Sequence, residues 1–217
     1  MLPVNKNGNI GIRLTIFTVG LFVMSFGIVL LIEAKVGATP WDALHVGLYQ
    51  IFGLTVGTWT IIAGFFILML GSLYIKEWPQ AGAYLNMLLV GLFVDFFLWL
   101  PFIETPPSLS GQWLMFLSGL ILHAYGMSFY ISGRLGAGPR DHFMLALVRK
   151  KGWKVSSIRR GIEVIVMGLA WLIGGPVSIG TFVFSILIGT IVGISLPQCE
   201  RLSDIIINNR LNRKEEV

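Results

Sequence analysis

Six stretches of the chain are apolar over about the 20 residues that an α-helix needs to cross the hydrocarbon core of a bilayer, near 13–33, 57–75, 81–100, 112–132, 157–174 and 178–196. No other feature restricts the fold so strongly. In lipid every backbone N–H and C=O must be paired within the protein, so runs of this kind have to be helices. The composition agrees: 55% of residues are hydrophobic and 12% are charged, against about 25% charged in a soluble domain. This excludes disorder and a conventional nucleic-acid binder. The single cysteine, Cys199, excludes an intrachain disulfide. The first stretch is too long for a cleaved leader, and Glu33-Ala34-Lys35 follows it where a small-residue cleavage site would stand.

Positive charge orients the spans. With a cytoplasmic N-terminus, fifteen of the sixteen Lys and Arg residues fall inside and only Lys35 falls outside. The loop 101–111 holds no Lys or Arg, as an outer loop should. Both termini are therefore expected in the cytoplasm. The assignment requires that two shorter segments, Pro40 to Phe52 and Pro139 to Lys151, enter and leave on one side or lie along the interface. A helix there spans about 18 Å, roughly half a bilayer.

The chain repeats itself at an offset of 99 residues. Between 20–56 and 119–155 there are eleven identities in 37 ungapped positions, from Gly20/Gly119 to Val56/Val155, where chance gives about three. With a small gap, Pro79 matches Pro176 and Gly91 matches Gly189. Each half reads span, short segment, span, span. An odd number of spans per repeat turns the second half upside down, the plan of many secondary transporters. The fold class expected is thus an all-α membrane protein of six spans, arranged as two inverted repeats of three. The divisions are a cytoplasmic N-terminus over 1–12, repeats over 13–100 and 112–197, an extracytoplasmic linker over 101–111 and a cytoplasmic tail over 198–217.

The repeated motif is Gly-x-x-Pro-x-Asp, with Gly37, Thr39, Pro40 and Asp42 in the first half and Gly136, Gly138, Pro139 and Asp141 in the second. It reads as a helix start. Thr39 or Gly138 fits the N-cap, proline the first helical position, and aspartate the first turn beside unpaired N–H groups. The aspartates are read either as caps alone or as members of an ion or solute site at a half-helix N-terminus. Trp41 and Arg140 share one repeat position, a stacking face in one half and a fixed positive charge in the other.

Asp95 is a candidate intramembrane acid within the third stretch, where a charge costs on the order of 3 kcal/mol on insertion scales. Its repeat counterpart is Gly193. His123, midway along the fourth stretch, suits a proton relay or a bond to a neighbouring helix. Asn86 reads as an interhelical hydrogen-bonder, and Glu163 as the i,i+4 partner of Arg159. His45 and His142 are candidates by location alone. No metal-ligand spacing, nucleophile elbow or P-loop is present, so no metal, no cofactor and no enzymatic activity are expected. The segment from Gln198 onward reads as an amphipathic tail on the inner leaflet.

The doubled motif, Gly37–Leu48 and Gly136–Leu147, resembles the YczE/YyaS/YitT family of bacterial integral membrane proteins, nearest its YczE-like branch, over about residues 12–200. Threonine stands at 39 where the family usually has glycine. The resemblance implies a multi-spanning protein of the bacterial cytoplasmic membrane, and some members are associated with regulation of lipopeptide antibiotic production. It carries over no substrate and no catalytic residue.

The expectation for function is a secondary transporter or permease for a small solute, with Asp42, Asp141 and Arg140 central to its site and Trp41 and His123 lining it. The half-helix N-termini and Arg140 lean toward an anionic or zwitterionic solute. The alternative is a membrane-embedded regulator or scaffold acting through the basic stretch Arg149–Arg160 and the tail. An intramembrane enzyme on lipids lacks a recognisable nucleophile. The expected partners are the lipid bilayer, a small solute and a second copy of the chain, with nucleic acid excluded.

Overall fold

The computed structural model describes residues 10–136, 138–153 and 155–215. Residues 1–9 of the N-terminal segment, Ala137 of the second motif, Lys154 of the basic stretch and the last two residues of the tail lie outside the described residues. The described residues form eight helices and no strand. They are α1 (Ile10–Glu33), α2 (Pro40–Phe52), α3 (Val56–Ile75), α4 (Ala81–Trp99), α5 (Leu109–Ser132), α6 (Pro139–Lys151), α7 (Val155–Leu172) and α8 (Ile179–Glu215).

Five helices are long and apolar enough to cross a membrane: α1, α3, α4, α5 and α8 through Asn208. The expected span over 157–174 coincides with α7, whose 18 residues include Arg159, Arg160 and Glu163. Those charges keep it below the apolarity of the other five. Large apolar side chains face outward around the bundle, with Phe66 62%, Trp171 69% and Ile186 74% exposed. A surface of this kind is stable in lipid and not in water.

The centre of the bundle is the crossing of α1 and α5. Gly20 lies against Gly126, and Gly27 against Gly119. A Cβ on Gly126 would stand 2.3 Å from the Met24 backbone nitrogen, and one on Gly27 2.5 Å from that of His123. Only glycine permits this approach. The two contacts exchange under a shift of 99 residues, since Gly20 matches Gly119 and Gly27 matches Gly126. The other neighbours fall in matching pairs as well. α4 packs beside α1 and α8 beside α5, while α3 packs against α6 and α7 against α2. Left-handed backbone recurs at the same offset, at Lys35 and Arg134 (φ 56° each), Gly37 and Gly136 (132° and 140°), and Gly53 and Gly152 (72° and 68°).

One large contact breaks the pattern. α3 packs along α4, with Gly57 so close to the Gly91 carbonyl that a Cβ on either would overlap the other helix. At the end of this seam Thr55 Oγ1 donates to Asp95 Oδ2 at 2.5 Å, and the Gly57 N–H donates to Asp95 Oδ1 at 2.7 Å. Among the described residues, α7 and α8 have no such seam. A Cβ built on Gly161, Gly168, Gly189 or Gly193 meets nothing within 4 Å.

α8 also differs from the expected boundary at 197. It runs through Pro197 as one helix of 37 residues. A proline removes one backbone hydrogen bond, but contacts to α5 hold the helix on both sides of it. Ser128 and Ser195 hydroxyls lie 2.6 Å apart, as do those of Ser132 and Ser203, and Tyr125 Oη donates to Gln198 Oε1 at 2.9 Å.

Candidate functional site

The two 13-residue helices α2 and α6 begin at the repeated motif. Pro40 and Pro139 open them, where a missing N–H is harmless. Thr39 is the N-cap of α2: its Oγ1 accepts from the Asp42 N–H at 3.1 Å and donates to Asp42 Oδ2 at 2.6 Å. Gly138 is the N-cap of α6 and has no side chain to offer. Pro139 rests on Gly64, halfway along α3. Gly37 turns against the start of α8, where a Cβ would stand 2.6 Å from the Thr181 nitrogen.

Both N-termini point into a cavity of about 120 Å³ to which all eight helices contribute. Arg140 lies over the indole of Trp41, with its guanidinium carbon 4.9 Å from the ring centroid. Its Nη2 is 3.5 Å from Asp42 Oδ1. Asp42 is buried just behind the cavity wall, and His45 Nδ1 approaches the same oxygen at 3.8 Å. His45 Nδ1 also bonds Thr60 Oγ1 at 3.0 Å. On the facing side Tyr130 Oη donates to Asp141 Oδ2 at 3.4 Å. Arg159 Nε is 3.3 Å from Glu163 Oε1, the i,i+4 pair expected from the spacing. Asn86 Nδ2 and His123 Nδ1 also belong to the wall; both are buried without a hydrogen-bond partner in the protein.

The structure therefore brings Trp41, Asp42, Arg140, Asp141 and His123 to one place, with Thr39, Pro40, Gly138 and Pro139 in the wall. Gly37 and Gly136 turn the chain before the two helix starts. Asp95 is elsewhere. It is a half-buried cap of α3, satisfied by Thr55 and the Gly57 N–H, and does not reach the cavity. His142 bonds Ser72 at 3.2 Å. Among the described residues no three His, Cys, Asp or Glu side chains converge on a metal position.

Tyr130 and the methionines of the wall were absent from the sequence reading. Tyr130 carried a usable signal: it follows His123 and Met127 at seven and three residues, the spacing of one helix face. A second, shallower pocket lies between Gln80, Ile131, Arg134 and Gly136, and Asp141 borders it as well as the main cavity.

An all-helical bundle with an apolar outer surface and a chamber at its centre that holds a few charged groups is a membrane protein. The chain belongs to a family of unknown function, DUF6198, whose match covers residues 11–197. It is 43% identical to the uncharacterized membrane protein YczE of Bacillus subtilis (strain 168), over 92% of both chains. It is 28% identical to the uncharacterized protein YyaS of the same organism, over 85% of this chain and 92% of that one. An uncharacterized protein of Haemophilus influenzae is also 28% identical, over 88% of this chain and 87% of its own length. No solved structure matches the chain.

Proposed function

We propose that the chain is a small-solute permease of the bacterial cytoplasmic membrane. It works by alternating access between two inverted repeats of three spans, α1 with α3 and α4, and α5 with α7 and α8. In this reading α2 and α6 are re-entrant half-helices, and both termini are cytoplasmic. The observation that carries it is the central chamber itself. Two half-helix N-termini, a stacked arginine and two unpartnered buried polar atoms converge at the one place every helix reaches. Such a site is the usual arrangement of a transporter built from inverted repeats.

Two further facts support the reading. The reciprocal glycine contacts of α1 and α5 are what a twofold axis in the membrane plane requires. The unequal seams supply the asymmetry, because a repeat pair closed at α3–α4 and unpacked at α7–α8 describes one of two exchangeable states.

A permease admits water and solutes to the chamber from each side in turn. The test is Met127→Cys, a cavity position, in a Cys199→Ser background, treated with a charged thiol reagent from one side of the membrane at a time. Labelling from both sides is the expected result. Protection from both sides contradicts a permease and favours a regulator or scaffold. That alternative draws on the basic stretch, but two of its charges brace α3: Arg149 pairs with Glu77 at 3.0 Å, and Lys150 Nζ bonds the Tyr74 carbonyl at 3.1 Å.

A further inference from the structure

The charges around the chamber do not cancel. Arg140 is taken by Asp42 at 3.5 Å and by the Trp41 face. Arg159 is taken by Glu163 at 3.3 Å. Asp141 has no ion pair of its own: Tyr130 donates to it at 3.4 Å, and among the described residues no cation lies within 4.0 Å of it, while Arg159 and Arg140 act on it from farther away. Two arginines against three acids leave one negative charge in surroundings where an uncompensated charge is expensive. The excess of acid in the wall points away from an anionic solute, although each arginine keeps N–H groups beyond the one that faces its acid.

The rest of the chamber describes the body of the ligand. Met24, Met87, Met127 and Met144 line it together with Ile28 and Phe184. Methionines adapt to apolar shapes better than branched side chains do. The chamber, at 120 Å³, is close in size to a cavity of about 150 Å³ that takes up benzene, so it suits a small apolar body. His123 lies two helical turns from Tyr130 on the same face of α5, about 10 Å along the axis. Its unpartnered Nδ1 and the unpartnered Nδ2 of Asn86 are left for polar groups that the protein does not supply.

We propose that the chamber binds an organic monocation, an amine on a small apolar body, with its ammonium group on Asp141 beside Tyr130. This rests on the permease reading and names the substrate class of its site. Asp141 also borders the second pocket, at Gln80 and Arg134. The ammonium site therefore stands at the wall that the two pockets share.

The experiment uses the full detergent-purified chain and three probes that differ in charge on one skeleton: 2-phenylethylamine, 3-phenylpropionate and phenylalanine. Thermal unfolding is followed at rising concentration of each. The expected result is stabilisation by the amine alone, with its apparent affinity reduced at least tenfold in Asp141→Asn. If Asp141→Asn does not fold, Tyr130→Phe keeps the ring and removes the hydroxyl, and a severalfold loss of amine affinity is expected there. Stabilisation by 3-phenylpropionate, or amine binding unchanged in Asp141→Asn and Tyr130→Phe, overturns the proposal. So does silence from all three probes. The permease reading is judged apart from these outcomes, by the sided labelling of Met127→Cys.

Discussion

Arg140 lies over the ring of Trp41 at 4.9 Å, and the two residues occupy the same position of the repeat, 99 residues apart. In the proposed pair of inverted repeats, a position that meets its own counterpart lies on the axis. A symmetric pair of arginines would repel there, and a symmetric pair of tryptophans would leave Asp42 without a cation. The divergence of the halves at this one place makes a stacked, ion-paired contact of a self-contact. A cation over an indole contributes about 0.5 kcal/mol when exposed and about 2 when desolvated. A double-mutant cycle with Trp41→Leu and Arg140→Gln is expected to give a coupling of about 1 kcal/mol in unfolding free energy. A coupling near zero would mean that the stacking adds nothing.

The two motif aspartates are expected to differ. Asp42→Asn leaves Arg140 without a carboxylate, and breaking a buried pair costs about 3–5 kcal/mol. The lower end applies, because the Arg140 side chain is 34% exposed. Asp141→Asn removes a charge that has no cation within bonding distance, so it is expected to leave stability within about 1 kcal/mol of the wild type or to raise it. Unfolding of both variants in parallel checks the order. Equal losses would contradict the pairing described here.

Glycines within the spans should differ in tolerance according to what surrounds them. Gly126→Val places atoms into the backbone of α1, where even a Cβ stands 2.3 Å from the Met24 nitrogen. It is expected to abolish folded protein. Gly189→Ala meets nothing within 4 Å and removes a helix-interior glycine, which favours the helix by about 0.5–1 kcal/mol. Size-exclusion profiles and thermal midpoints of the two variants decide the point.

Asp95 latches α4 to the start of α3 through Thr55 and the Gly57 N–H. Asp95→Asn weakens a cap, worth about 1 kcal/mol, and loosens the one seam that the second half lacks. Its expected effect is a small loss of stability with faster labelling of Met127→Cys from the side of the membrane at which α3 begins. Unchanged labelling would mean that the latch does not control access.

The starts of α2 and α6 were legible because Gly-x-x-Pro-x-Asp carries its own stop, cap and first turn. Pro40–Phe52 and Pro139–Lys151 needed no tertiary information. The five most apolar spans were equally plain. α7 was harder, since Arg159 and Glu163 face the chamber and dilute its apolar pattern. The run of α8 beyond Pro197 was invisible because the serine pairs that hold it reach across 67 and 71 residues to α5. The repeat paired position 41 with position 140 but did not say that the two side chains meet. That Trp41 meets Arg140, and that Asp141 has no ion pair among the described residues, follow from where the helices cross.

The central claim is that the seams α3–α4 and α7–α8 exchange. Spin labels at lipid-facing positions read it directly, at Phe66 and Leu88 for the first seam and at Val164 and Ile186 for the second. Pulsed dipolar spectroscopy in nanodiscs is expected to give two distances for each pair, the longer one at one seam gaining weight as the shorter one gains at the other. A single narrow distance at both seams under all conditions would contradict alternating access.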